Sequence, residues 1–194
     1  MTAEKERLKK QKVAWGITGA GDKIAEFIDV MKKLKEEYVT AVDIHVFVSK
    51  AGETVLKFYN LETKLKTNFD KVQVEINANA PFLAASLQMR KYEFLLIAPA
   101  TSNSVAKIAN GIGDTMLTNA AIMSLKAFVP VYIVPVDFKE GVVYTLLPNG
   151  KEMRIRVRKE EVEQVNKLRQ TEDIHVLETP NEISTLFKKR FGSN

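Results

Sequence analysis

No cysteine occurs among the 194 residues. That absence removes disulfide crosslinks, thiolate zinc sites, cysteine-ligated iron–sulfur clusters and thiol nucleophiles. Histidine occurs twice and tryptophan once. Long apolar runs are missing as well. The longest, Phe94–Ala100 and Val129–Val136, fall far short of the ~20 residues that a membrane-spanning helix needs. The N-terminal segment lacks the apolar core of a secretory signal, so the expected location is the cytoplasm and no membrane partner is expected.

The composition itself is ordinary, with 45% hydrophobic and 27% charged residues. Such a chain can bury enough apolar surface to offset the entropy of ordering, which excludes a disordered protein. The formal net charge is +5. In residues 1–12, five basic side chains (Lys5, Arg7, Lys9, Lys10, Lys12) outnumber Glu4 and Glu6 by three. What remains is mildly basic, so no nucleic-acid partner is expected. Residues 1–12 read as a basic lead-in, and 13–194 as one domain.

The body alternates strands with helices. Lys12–Thr18 (KVAWGIT), Ala41–Ser49, Phe94–Ala100 and Val129–Val136 are continuous apolar runs, the pattern of strands buried on both faces of a parallel sheet. Between the first two, Ile24, Phe27, Ile28, Met31 and Leu34 share one helix face, with Asp22 at the expected N-cap. Ala51–Phe58 and Pro81–Arg90 read as helices, and residues 59–79 give mixed signals. Near 142–158, two strands flank Pro148-Asn149-Gly150, and Asn-Gly predicts a two-residue hairpin turn. An amphipathic helix through Val162, Val165 and Leu168, a strand at Ile174–Leu177 and a helix at Pro180–Arg190 close the chain. The expected fold is therefore α/β: a Rossmann-like, flavodoxin-like parallel sheet with helices on both faces and a late β-hairpin appendage.

Ligands of such sheets bind at the carboxyl ends of the strands, which directs attention to three loops. Gly16-Ile17-Thr18-Gly19-Ala20-Gly21-Asp22 brings backbone N–H groups and a hydroxyl to a helix start, a setting for phosphate. Its glycines match neither the dinucleotide fingerprint nor a P-loop, and the alternative reading is a tight strand-to-helix turn. Ser49 either offers its hydroxyl to a ligand or caps the next helix. Ala100-Thr101-Ser102-Asn103-Ser104 places four consecutive hydrogen-bonding side chains after a strand. One of them would suffice for a cap, so the loop points to a ligand. Trp15, inside an apolar strand, reads as core.

Taken together, Gly16-Ile17-Thr18-Gly19, Val48-Ser49-Lys50, Pro99 through Ser104, and Lys107-Ile108-Ala109-Asn110-Gly111 through Asp114-Thr115-Met116-Leu117-Thr118 resemble a flavoprotein family. That family includes the phosphopantothenoylcysteine and peptidyl-cysteine decarboxylases. Residues 99–104 are similar to its P-A-S-A-N-T signature, with Thr101, Ser102 and Ser104 as variants. The W-G-I-T-G-A-G-D start and the S-K-A-G-E turn are most similar to its archaeoflavoprotein branch, to which dihydromethanopterin reductases are close. The resemblance implies FMN, held by Thr18, Gly19, Ala20 and Ser49 at the phosphate. It places Ala100, Thr101, Ser102 and Asn103 along the isoalloxazine, with Asn119 reaching it from the same or a neighbouring subunit. It also implies a homo-oligomer built from trimers. A separate donor, a ferredoxin or an iron–sulfur flavoprotein, would supply electrons, because this chain offers no thiolate for a cluster.

Departures from the family bear on activity. Its decarboxylases use a histidine and, in some members, a cysteine acid. Here His45 lies within the second strand and His175 near Val176-Leu177, so cysteine decarboxylation lacks its proton-transfer groups. Three readings stand at this stage: an FMN electron-transfer protein or reductase, a decarboxylase-like or prenyl-transferring flavoprotein, and a non-flavin nucleotide-binding module.

Overall fold

The computed structural model describes residues 10–192. Residues 1–9 of the expected basic lead-in lie outside them, and the first strand already begins at Gln11, within the bounds given to that lead-in.

In chain order the elements are β1 (Gln11–Ile17), α1 (Ile24–Glu37), β2 (Val42–Val48), α2 (Lys50–Phe58), α3 (Glu62–Asn68), β3 (Val72–Val74), α4 (Leu83–Gln88) and β4 (Phe94–Ala100). They continue with α5 (Ser102–Ala109), α6 (Met116–Lys126), β5 (Val131–Pro135), β6 (Gly141–Leu146), β7 (Glu152–Val157), α7 (Lys159–Arg169), β8 (Ile174–Val176) and α8 (Pro180–Phe191). Six strands form one sheet in the order β3-β2-β1-β4-β5-β8, and every pairing in it is parallel. The order reverses between β1 and β4, so the crevice at that switch point is where a ligand is expected. Among the described residues no helix is long and apolar enough to cross a membrane.

Both faces of the sheet are dry, which explains the continuous apolar runs. Alternate residues of one strand feed two cores: Val13, Trp15 and Ile17 pack beneath α1 and α8, while Ala14 joins Leu95, Ile97 and Leu117 on the opposite face. Trp15 is fully buried, edge-on to Phe69 at 5.2 Å, and donates its indole N–H to the Ala98 carbonyl at 2.7 Å. Each large apolar side chain so buried contributes about 1.5–3 kcal/mol of transfer free energy.

Three local expectations are corrected. Residues 59–79 hold α3 and β3; β3 has three residues, too few for a readable alternation. Asp22 does not cap α1. The N-cap is Lys23, in a left-handed conformation with φ 53°, and no side chain caps the helix. The hairpin turn is also longer than the Asn-Gly signal predicts. Leu147 N–H donates to Lys151 at 2.9 Å, leaving Pro148-Asn149-Gly150 as a three-residue loop whose glycine takes φ 77°, the conformation such a loop requires at its last position.

Candidate functional site

At the carboxyl end of the sheet, the ends of β1 and β4 are tied together. Thr18 Oγ1 donates to the Pro99 carbonyl at 2.8 Å and accepts the Thr101 amide at 2.9 Å. The threonine is 2% exposed. Its hydroxyl proton is thus committed to the protein, and it is the neighbouring backbone that faces outward. No hydrogen bond among the described residues uses the amides of Gly19, Ala20, Ala51, Ser102 or Asn103.

Gly19, Ala51 and Asn103 border a cavity of about 580 Å³, whose lining also includes Thr18, Ser49, Lys50, Glu75, Thr101, Ser104, Lys107 and Thr115. Three helices, α2, α5 and α6, begin at it. Ser49 caps α2 by accepting the Gly52 amide at 2.9 Å. Because it accepts there, its own O–H stays available, so the two readings of Ser49 are compatible. Thr101 caps α5 through the Ser104 amide. Helix N-termini carry partial positive charge, and exposed Lys50 adds a full one.

The cradle depends on two close approaches. A Cβ on Gly19 would lie 2.7 Å from the Ala51 Cβ, and one on Gly52 would lie 2.7 Å from the Ile17 carbonyl oxygen. Glycine at these positions lets α2 press its first turn against the end of β1. An anionic group with several acceptor oxygens fits this arrangement of unpaired donors.

Glu75, just past β3 and 8% exposed, was missed by sequence reasoning because it follows the three-residue strand in the unread segment. Its carboxylate accepts the Lys50 amide at 3.0 Å and the Met116 amide at 2.9 Å. It therefore holds the first turns of α2 and α6 on the same cavity. Both oxygens are occupied, and two helix N-termini face its charge.

A second cavity, of about 440 Å³, opens on the other side of the β4–α5 loop. Its walls include Ala20, Gly21, Asp22, Tyr59, Thr101, Ser102, Asn103, Asp137 and the hairpin residues Val143, Thr145, Met153 and Ile155. Thr101 and Asn103 line both cavities. The Asn103 side chain is exposed where they meet. Ser102 donates its hydroxyl to Asp137. Tyr59 donates to the Leu146 carbonyl at 3.4 Å and so reaches the hairpin.

Asp22 lies half-buried in this second cavity. Burial pushes its carboxyl above the ordinary range; Lys23 opposes the shift, while Asp137 and Glu26 add to it. Its ionised form is therefore disfavoured in the fold. That contribution to stability is fully present below the unfolded-state value near 3.8 and is lost as pH rises through the raised folded value. Asp22→Asn is accordingly expected to melt higher than the parent at pH 7. The gap should close as the pH falls below the ordinary carboxylate range, as thermal melts across pH will report.

Two expected site residues stand elsewhere. Ala100 is fully buried within β4. Asn119 donates to the Ala78 carbonyl at 3.0 Å and to Asn79 Oδ1 at 3.1 Å, pinning the loop before α4 and lining neither cavity. The histidines are also outside both. His45 bonds Tyr92 and Asp43, and His175 stacks on Tyr132 at 4.8 Å.

The family model described as Flavoprotein matches residues 1–189. An uncharacterized protein of Methanocaldococcus jannaschii is 47% identical over 178 residues, which is 92% of this chain and 95% of the relative. The same organism's dihydromethanopterin reductase (acceptor) is 33% identical over 238 aligned positions, spanning 92% of this chain and 96% of the relative. Among solved structures, Burkholderia xenovorans DmrB in complex with FMN, described as a cubic protein cage for redox transfer, superposes with a TM-score of 0.79. It shares 29% identity, with 94% of this chain and 96% of that chain covered.

Proposed function

The chain belongs to the flavoprotein family, and from that premise we propose that it binds FMN and serves as a redox protein, accepting electrons from a separate iron–sulfur donor and passing them to a small acceptor. The observation that carries this reading is the convergence of unpaired amides and three helix N-termini on one cavity at the switch point. The donor set suits a phosphate ester. FMN, when bound, exchanges electrons one or two at a time, and the protein's part is to hold, orient and tune it.

In this reading the amides of Gly19, Ala20 and Ala51, the Ser49 hydroxyl and Lys50 take the phosphate. Thr18 contributes by position rather than by a free donor: its amide and its hydroxyl both bond the Pro99 carbonyl, which fixes the strand exit that presents Gly19. Thr101, Ser102 and Asn103 line the ring where the two cavities meet, and the smaller cavity receives the acceptor. Asn119 acts on this site through residues 78–79. The reductase name of one relative and the FMN and redox-transfer description of DmrB support the assignment. The 194 residues supply no thiolate for a cluster, hence the separate donor, with the cytoplasm as the setting.

A trimer-based homo-oligomer belongs to the same proposal. A cube has three-fold axes through its corners, so a cubic cage such as that described for DmrB is compatible with trimers. Ile76, Phe82 and Ile112 are 67%, 73% and 48% exposed, in or next to the loops that line the larger cavity. A second copy of the chain would cover them and close that cavity.

Absorption spectroscopy and FMN titration of purified protein test the reading. Saturable quenching of flavin fluorescence is expected, with a trimer or a multiple of one in light scattering. Asn103→Ala removes a donor–acceptor amide from the cavity junction. It is expected to weaken FMN binding by about 5- to 150-fold, the equivalent of ~1–3 kcal/mol. Asn103→Asp places a carboxylate beside the ring and lowers the reduction potential. A protein that neither carries nor quenches flavin overturns the proposal.

A further inference from the structure

The β6–β7 hairpin has two faces, and only one has an assigned use. Cross-strand pairing puts Val143 opposite Ile155 and Thr145 opposite Met153, and these four line the smaller cavity. The other face pairs Val142 with Arg156 and Tyr144 with Arg154, and Leu146 continues it; of these, Tyr144 and Arg156 also contribute to the wall of that cavity, while Val142, Leu146 and Arg154 do not. Val142, Tyr144 and Leu146 are 45%, 63% and 63% exposed. Among the described residues Arg154 and Arg156 form no ion pair, whereas nearby Arg158 and Lys159 are neutralised by Glu161 and Glu163.

Resting on the redox reading above, we propose that this outer face is the docking surface for an acidic electron-carrier protein. Residues 139–157 contain four basic and two acidic side chains, and the two arginines among them carry the unpaired charge. A face of that sign attracts an acidic partner over distance and speeds its encounter. Tyrosine and arginine around an apolar centre are the residue types that carry binding energy at interfaces. A hairpin-sized area matches the small contacts of transient redox encounters. The hairpin is one sheet layer, about 10 Å thick, and its other face looks into the cavity that shares Thr101 and Asn103 with the proposed cofactor site. A carrier seated there is brought close to that site without entering it. A second copy of this chain fits less well, since two such faces would set like charges against each other.

The test uses the full chain loaded with FMN and a plant-type [2Fe–2S] ferredoxin as the acidic probe. Binding is followed by calorimetry and flavin reduction by stopped flow, across ionic strength. The double variant Arg154→Glu/Arg156→Glu is expected to lose at least about tenfold in association rate at low salt. The gap should shrink as salt screens the charges, and Arg154→Lys/Arg156→Lys should retain most of the rate. Photoreduction without a protein donor is expected to be unchanged in Arg154→Glu alone, a position outside the cavity wall. Equal ferredoxin binding by parent and Glu variant overturns the proposal. A change of oligomer mass in the Glu variant also overturns it, by giving the face to a second copy. So does tighter binding of duplex DNA than of ferredoxin by the parent. Calorimetry with flavin-free protein separates the two readings: loss of FMN binding with charge-dependent ferredoxin binding sinks the redox assignment and leaves the docking face standing.

Discussion

Gly52→Ala is expected to lower the melting temperature by about 2–12 °C and to weaken FMN binding by about tenfold or more. The added methyl would sit 2.7 Å from the Ile17 carbonyl oxygen, 3.0 Å from that of Thr18 and 3.1 Å from Val48 Cγ1. The first two are backbone atoms of the central strand and its exit, which cannot rotate away as a side-chain tip would. The strain has to be relieved by moving α2. Overpacking of this kind costs about 1–3 kcal/mol, and 1 kcal/mol corresponds to about 2–4 °C in a chain of this size. Moving α2 carries Ser49, Lys50 and Ala51 away from Gly19, so the phosphate cradle opens; a factor of ten corresponds to ~1.4 kcal/mol of binding. Thermal melts and FMN titration of the same preparation check both effects. A variant that binds FMN as the parent does would show that α2's first turn is not part of the cradle.

Glu75→Ala is expected to be more damaging still. Its removal leaves the Lys50 and Met116 amides without their acceptor. A buried donor left unpaired costs about 1–3 kcal/mol, so the two together place the loss at about 2–6 kcal/mol. Urea denaturation should show a lower midpoint with an unchanged slope. Glu75→Gln keeps one carbonyl oxygen but turns an NH₂ toward the second amide, and should fall between parent and alanine variant. FMN affinity should follow the same order, since α2 and the Thr115 end of α6 both lose an anchor. Full FMN affinity in the alanine variant would confine Glu75 to stability.

Much of the architecture is local, and local signals show it. Strands buried on both faces read as continuous apolar runs, so β1, β2, β4 and β5 were visible to within two residues at either end. The period of Ile24, Phe27, Ile28, Met31 and Leu34 marked α1, and all five are buried. The strand exits at Thr18, Ser49 and Thr101 followed from where those runs stop.

Other features depend on contacts between distant segments, which no local pattern encodes. The Thr18 hydroxyl finds Pro99 and Thr101 more than 80 positions away, and only the parallel pairing of β1 with β4 brings them together. Glu75 looked unremarkable until β3 placed it between the starts of two helices. Asn119, beside a family-like motif, turned out to hold residues 78–79 across a helix packing contact. The hairpin was legible as a hairpin, but its inner face became a cavity wall only by folding over the switch point. The sequence by itself determined the α/β fold, the strand exits and the family. Tertiary structure decided which hydroxyls and amides remain free for a ligand, because a donor is free only when no distant acceptor reaches it.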